Sequence, residues 1–196
     1  MKKNLTIAVL MTVVTTTLLG LIYPLIVTGL AHVVFPDKAN GQLIVKHGQV
    51  IGSRIIGQAF SGPGYFRSRP SATTIPNDAA NSAGSQFGPT NQKLIARVKA
   101  DVAAAQAETP STSVPIDMVT TSASGLDPHI TPAAAEFQLS RVAKERGTTI
   151  DQIRAVLAKH TESRQLGFLG EPRVNVLELN LELDERFPAA RQAQSR

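Results

Sequence analysis

Apolar and polar positions divide the chain near residue 36. From Asn4 to Pro36 there is no Asp, Glu, Lys or Arg, and Leu5 to Phe35 is mostly aliphatic. A bilayer core takes about 20 consecutive apolar residues of helix, so the run predicts one membrane-spanning helix within residues 1–36. Beyond it the two classes interleave. Leu43-Ile44-Val45 and Val50-Ile51 flank the polar Lys46-His47-Gly48-Gln49, which predicts a hairpin whose second strand runs on through Ser53-Arg54-Ile55-Ile56 to Gln58. Leu94, Ile95, Val98 and Val102 recur at helical spacing and predict a helix over Asn91–Ala107 with Thr90 as its N-cap. Phe137, Leu139, Val142 and Ala143 form the stripe of a second helix, with Thr131 as cap, Pro132 at the first position and Gly147 as stop. Thr149 and Gln152 have the spacing of a capping box, opening a third helix with Ile153, Val156 and Leu157 inward. Leu177, Leu179, Leu181 and Leu183 alternate with Glu178, Asn180, Glu182 and Asp184. That period of two predicts a C-terminal strand, with Gly170-Glu171-Pro172-Arg173 as the turn into it. The fold class is therefore α+β: a membrane helix (1–36), one mixed domain (37–187) and a flexible tail (188–196).

The apolar run has internal features. Pro24 lacks the N–H that would bond the carbonyl of Gly20, and predicts a kink there. Gly20, Gly29 and the threonines Thr12, Thr15, Thr16, Thr17 and Thr28 suit close approach by another membrane helix. A plain anchor, with threonines bonded back to their own backbone, is the alternative. Lys2 and Lys3 precede the run, whereas Lys38 follows it beside Asp37. That bias predicts a cytoplasmic N-terminus and an extracytoplasmic domain. A signal peptide cleaved near Gly29-Leu30-Ala31 would export the same domain, but a signal's apolar region is only about 7–15 residues.

Charge and composition narrow the function. The net charge is +5, and without Lys2 and Lys3 eighteen Lys/Arg face fifteen Asp/Glu. That balance is an ordinary surface and no nucleic-acid footprint. The chain has no Cys, so cysteine-ligated zinc and thiol chemistry are excluded. The four histidines, His32, His47, His129 and His160, include no His-x-x-x-His pair, which argues against a metal site.

Residues 61–90 change character. Eighteen of the thirty are Gly, Pro, Ser, Thr or Asn, yet Tyr65, Phe66 and Phe87 lie among them. Aromatic residues are scarce in disordered segments, so an ordered, binding-competent loop is expected. Arg67 and Arg69, two apart on an extended segment, are expected to point the same way and to meet carboxylates or phosphates. Ser122, Ser124, Asp127 and His129 lie within eight residues. A periplasmic hydrolase or binding protein using Ser124, Asp127 and His129 is the competing function. No Gly-x-Ser-x-Gly elbow is present, and neighbours in one turn rarely achieve triad geometry. Asp127-Pro128 reads more simply as a turn before a helix.

Several ordered motifs carry a resemblance. They are Tyr65-Phe66-Arg67-Ser68-Arg69-Pro70-Ser71-Ala72, Gly88-Pro89-Thr90-Asn91, Ser124-Gly125-Leu126-Asp127-Pro128-His129-Ile130, Gln138 with Arg141-Val142-Ala143, and Gly170-Glu171-Pro172-Arg173-Val174-Asn175-Val176-Leu177. With the single N-terminal span they resemble the C subunit of the Kdp-type potassium-transporting ATPase, over nearly the whole chain. One departure is Ala83-Gly84-Ser85-Gln86, where that family usually has Ser-Gly-Ser-Asn. The resemblance implies a non-catalytic accessory subunit of a bacterial inner-membrane complex. Its partners would be a channel-like potassium-conducting subunit, a P-type ATPase subunit and the lipid bilayer. It would assemble these subunits and raise the pump's affinity for ATP, binding no cofactor alone. Gln152 is the nearest match to a Gln proposed in that family to touch nucleotide, although Gln152 also reads as a helix cap. Candidate partner contacts are Pro24, Tyr65, Phe66, Arg67, Arg69, Gln86, Asn91, Asp127, His129 and Arg173.

Overall fold

The structure is a computed structural model that describes residues 2–110 and 113–188. Ser111, Thr112 and the tail from residue 189 lie outside the described residues, so the expectation for that tail does too. The chain forms two compact units, one up to Ile51 and one from Gly52.

In the first unit, Lys2–Val34 forms one helix long and apolar enough to cross a membrane, with a mean hydropathy of 2.2 over an 18-residue stretch. It consists of α1 (Lys2–Thr15), a π-helical stretch (Thr16–Ile22) and α2 (Tyr23–Val34). The π stretch lies immediately ahead of Pro24. The Tyr23 N–H bonds the carbonyl of Leu18, five residues back, so the helix widens where proline interrupts the regular ladder. The hydroxyls of Thr6, Thr12 and Thr15 donate to the carbonyls four residues earlier. For Thr12 and Thr15 this is the self-satisfied arrangement of a plain anchor. A short helix α3 (Pro36–Ala39) follows. Then β1 (Leu43–Lys46) pairs with β2 (Gln49–Ser53). The turn residues His47 and Gly48 have φ of 52° and 79°, the left-handed pair that a two-residue hairpin requires. β2 stops earlier than expected. The Ser53 side chain accepts from the Ile55 N–H and the Ser53 carbonyl from Ile56, closing a turn that removes Arg54–Gln58 from the strand.

The second unit is built on four helices and a small antiparallel sheet. They are α4 (Gln92–Glu108), β3 (His129–Ile130), α5 (Pro132–Arg146), α6 (Ile150–Lys159), β4 (Thr161–Glu162), β5 (Arg173–Asn175) and α7 (Val176–Arg186). Two 3₁₀ turns, Ala79–Asn81 and Ile116–Met118, interrupt the loops. The strand order is β3-β5-β4, with Ile130 and Thr161 both opposite Val174. The core lies where α5, α6 and α7 cover β5. Phe66, Ala134, Ala135, Val142, Ile153, Val174, Leu179 and Leu183 are completely buried there. Burying a side chain such as Phe66 contributes roughly 1.5–3 kcal/mol. The alanines of α5 let its neighbours approach closely.

The helix starts follow sequence logic. Thr131 caps α5 through the Ala134 N–H, and Gly147 ends it at φ 63°. Thr149 and Gln152 form the expected capping box of α6. The cap of α4 is Asn91 rather than Thr90, its side chain accepting from the Lys93 N–H.

The expected C-terminal strand is a helix. Residues 176–186 form α7, capped by the Asn175 side chain, which accepts from the Glu178 N–H. The inward residues are Val176, Leu177, Leu179, Asn180 and Leu183, while Leu181 is only half-buried. Their spacing of three and four is helical. The alternating leucines concealed it because Asn180 takes an inward position. Leu and Glu both favour helix, and the local signal Asn175-x-x-Glu178 is a start signature. The strand is instead the short Arg173–Asn175, which starts at the last residue of the turn expected over 170–173.

Candidate functional site

The segment Gly62–Ser71 runs without regular structure, yet buried side chains hold it in place. Asn180, completely buried on α7, accepts from the Phe66 N–H at 2.9 Å and donates to the Phe66 carbonyl at 2.9 Å. Gln138, 2% exposed on α5, does the same to Arg67, accepting at 2.8 Å and donating at 3.1 Å. Each amide thus supplies one donor and one acceptor, as a neighbouring strand would. Two guanidinium groups complete the grip. Arg146 donates to the carbonyls of Gly64 (2.6 Å) and Phe187 (2.8 Å) and to Asp184 (2.9 Å). It also lies 5.0 Å from the Tyr65 ring centre, and the Tyr65 hydroxyl bonds Asp184. Arg141 donates to the carbonyls of Pro63 and Tyr65. The resemblance had marked Gln138 and Arg141 only as motif members, and nothing had marked Arg146 or Asn180. The available signal was a polar residue on an apolar stripe: Gln138 beside Leu139, and Asn180 between Leu179 and Leu183.

This grip explains Tyr65 and Phe66, two candidate contacts. Phe66 is a core residue, and Tyr65 packs 5.3 Å from Phe60. Arg67 and Arg69 do not share a direction. Arg67 bonds Glu108 at 2.8 Å and lines a cleft of about 260 Å³ with Asp101, Met118 and Arg141. Arg69 lines another, of about 310 Å³, with Asp117, Asp127, His129, Glu171 and Arg173. Partners on separate elements draw the two apart: Glu108 on α4 holds Arg67, whereas Thr120, Thr121 and Asp127 hold Arg69.

The second cleft gathers four of the candidates, Arg69, Asp127, His129 and Arg173. The Arg69 guanidinium bonds the Thr120 carbonyl (3.3 Å), the Thr120 hydroxyl (3.2 Å) and the Thr121 carbonyl (3.3 Å), and lies 3.4 Å from Asp127. Asp127 also accepts from the His129 N–H at 3.0 Å, with the His129 Nδ1 3.6 Å away. Burial alone would raise the Asp127 carboxyl. The His129 hydrogen bonds and the His129 and Arg69 charges outweigh it and hold the group below its ordinary 3.8. A carboxylate so held stays ionised near neutrality.

Ser122 and Ser124 are turn formers. The Ser122 hydroxyl accepts from the Gly125 N–H and that of Ser124 from the Leu126 N–H. Asp127 is engaged by its own turn and by Arg69. Of the hydrolase alternative, Ser124 and Asp127 are thus engaged in the turns of one loop, and His129 joins them through its backbone N–H. That loop sits against other backbone. The Ala83 N–H bonds the Ser124 carbonyl and the Gly57 N–H bonds the Leu126 carbonyl. A Cβ on Gly84 would lie 2.8 Å from the Ala123 carbonyl oxygen, and one on Gly125, at φ 69°, 2.7 Å from that of Ala83. Gly84 and Gly125 are therefore fixed by close backbone approach.

The remaining candidates are dispersed. Gln152 is exposed, and its Oε1 accepts from Thr148, from the Thr149 N–H and from the Thr149 hydroxyl. Arg173, which lines the second cleft, pairs with Glu162 across β4 and β5 at 2.8 Å. Asn91 is a helix cap, and Pro24 lies in the apolar helix. Gln86 is exposed at φ 52°, where Asn is accommodated more readily than Gln. Among the described residues no three His, Cys, Asp or Glu side chains are grouped to hold a metal ion.

Comparison with known proteins gives a consistent result. Residues 5–185 match the family described as "K+-transporting ATPase, c chain". A protein of Koribacter versatilis named "Potassium-transporting ATPase KdpC subunit" is 66% identical over 188 residues, covering 96% of this chain and 97% of the relative. Proteins of the same name from Acidobacterium capsulatum and Rhodopseudomonas palustris are 56% and 53% identical, covering 93% and 94% of this chain and 98% of each relative.

Proposed function

Because the chain belongs to the KdpC family of potassium-transporting ATPase subunits, we propose that it is a non-catalytic accessory subunit acting from outside the cytoplasm. It joins a channel-like subunit that conducts potassium to a P-type subunit that hydrolyses ATP. Its membrane helix packs on those partners through the face around Gly20 and Pro24, and its globular unit docks at their outer side. The observation that carries the reading is the occupation of the candidate chemistry. Ser124, Asp127 and His129 shape a loop, and Gln152 closes a helix cap. The second support is charge: Lys2 and Lys3 precede the apolar helix, which favours a cytoplasmic N-terminus.

An outer domain contacts no cytoplasmic nucleotide, yet it changes ATP affinity. Coupling needs only contacts that differ between two pump conformations. Docking that favours the nucleotide-receptive conformation raises apparent affinity as a catalytic chaperone does. The test compares the apparent KM for ATP of the whole complex carrying Gln152→Ala with that of wild type. The reading expects equal values. A rise of roughly tenfold, about 1.4 kcal/mol, with the subunit fully retained, would transfer the role to direct nucleotide contact by Gln152.

A further inference from the structure

From Gly52 onward, the exposed large apolar residues are Ile55, Ile75, Phe87, Ile116 and Ile150, each isolated in sequence, and one group of three. That group is Leu166, Phe168 and Leu169, with 83%, 69% and 48% of their surfaces exposed. They crown a tight hairpin. The Gln165 and Leu169 backbones exchange bonds of 2.8 and 2.9 Å, and the Phe168 N–H bonds the Gln165 carbonyl. Leu166 and Gly167 turn the chain at φ of 52° and 82°. A bulky residue at such a φ is an outlier, where Gly or Asn would sit without strain. Leu166 therefore gains nothing locally: its conformation is unfavourable and its side chain faces water. Residues in this position mark functional surfaces.

We infer that the 165–169 hairpin tip is a docking knob that inserts Leu166 and Phe168 into an apolar socket on another protein subunit of the same assembly. The charges at the neck select protein over lipid. Arg164 is paired with Glu171 at 2.7 Å, and Arg173 with Glu162 at 2.8 Å. The rim is thus self-neutralised, whereas an element that enters anionic headgroups offers uncompensated Lys and Arg beside its apolar face. A neutral polar rim around large apolar anchors is the pattern of a protein interface centre. Beyond Leu169 the chain runs through Glu171, Pro172 and Arg173 along the wall of the Arg69–Asp127–His129 cleft. A partner seated on the knob therefore lies next to that cleft.

The inference rests on the accessory-subunit reading, and one experiment separates the two. The full chain and its variants are expressed with the other subunits of the complex, which is purified through a tag on a partner. Phe168→Asp and Leu166→Asn are compared with wild type, and the thermal unfolding of each full-length chain is measured in detergent. Retention is expected to weaken roughly tenfold or more for each variant, the scale of a lost interface anchor. The Leu166→Asn chain is expected to unfold no earlier than wild type, because Asn accepts the left-handed turn. Replacing Phe168 with photoreactive p-benzoylphenylalanine is expected to give a covalent adduct with a protein subunit. Wild-type retention of Leu166→Asn overturns the knob, as do adducts with lipid alone. Failure of the wild-type chain itself to co-purify would overturn the accessory-subunit reading instead.

Discussion

Two loops of the globular unit carry Phe beside Gly, and they end in opposite environments. In the 62–71 segment Phe66 is completely buried, while at the 165–169 tip Phe168 is 69% exposed. The difference lies in what their backbones meet. The first segment is received by Asn180, Gln138, Arg141 and Arg146, which satisfy its peptide groups and allow it to enter the core. The second satisfies its peptide groups within its own turn, so nothing draws its side chains inward. A loop becomes part of a core only when the interior supplies partners for its backbone, since an unpaired buried peptide group is costly.

That comparison breaks most sharply at Arg146. Replacing it with Met removes the guanidinium from the carbonyls of Gly64 and Phe187 and from Asp184, which keeps the Tyr65 hydroxyl. A loss of about 3–5 kcal/mol is expected, the cost of breaking a buried charged network, read by chemical unfolding of the full chain. Asn180→Leu is expected to cost about 2–4 kcal/mol, because both polar groups of the Phe66 backbone lose their bonds. If Asn180→Leu unfolds at the wild-type midpoint, the amide does not hold the loop.

Acid provides a milder probe. Burial alone would raise the Glu182 carboxyl, but hydrogen bonds from His160 and Lys159 and the His160 and Arg186 charges hold it below its ordinary 4.5. Asp127 is likewise held below 3.8. Both groups have depressed folded-state values. Their stabilisation is fully present above the ordinary values and is lost as pH falls through the folded ones. Stability is expected to decline as pH drops below about 4.5, and Glu182→Gln is expected to flatten that decline. An unchanged acid limb in Glu182→Gln would remove this carboxylate from the account. The smallest expected effect is at Gln86, outside both loops. Gln86→Asn is expected to raise stability by a few tenths of a kcal/mol by suiting φ 52°, measured as a small upward shift of the unfolding midpoint.

Local signals in the sequence were largely sufficient for local structure. The apolar helix, the first hairpin, the start and stop of α5 and the capping box of α6 all follow from short patterns whose physics is contained in neighbouring residues. Two features were not legible. The α7 pattern misled because Asn180, polar by type, is an interior residue by function, so a helical stripe looked like alternation. The role of the 62–71 segment was hidden because its partners lie 71 to 114 residues away in sequence. Arg67 and Arg69 were expected on one side from strand geometry, but tertiary partners on separate elements drew them apart. Around Asp127 the bonds are mostly local, from the His129 N–H to Asp127 and from the Leu126 N–H to Ser124, with Arg69 as a distant partner.

For the proposed accessory role, the side of the membrane on which the globular unit lies separates action through nucleotide from action through pump conformation. The chain has no Cys, so a single Gln106→Cys on the exposed surface of α4 reports that side without interference. Assembled complexes in intact cells are treated with a membrane-impermeant maleimide, with and without prior permeabilisation of the inner membrane. Full labelling before permeabilisation is the result expected for an extracytoplasmic domain. Labelling that appears only afterwards would place the domain with cytoplasmic ATP and contradict action from outside.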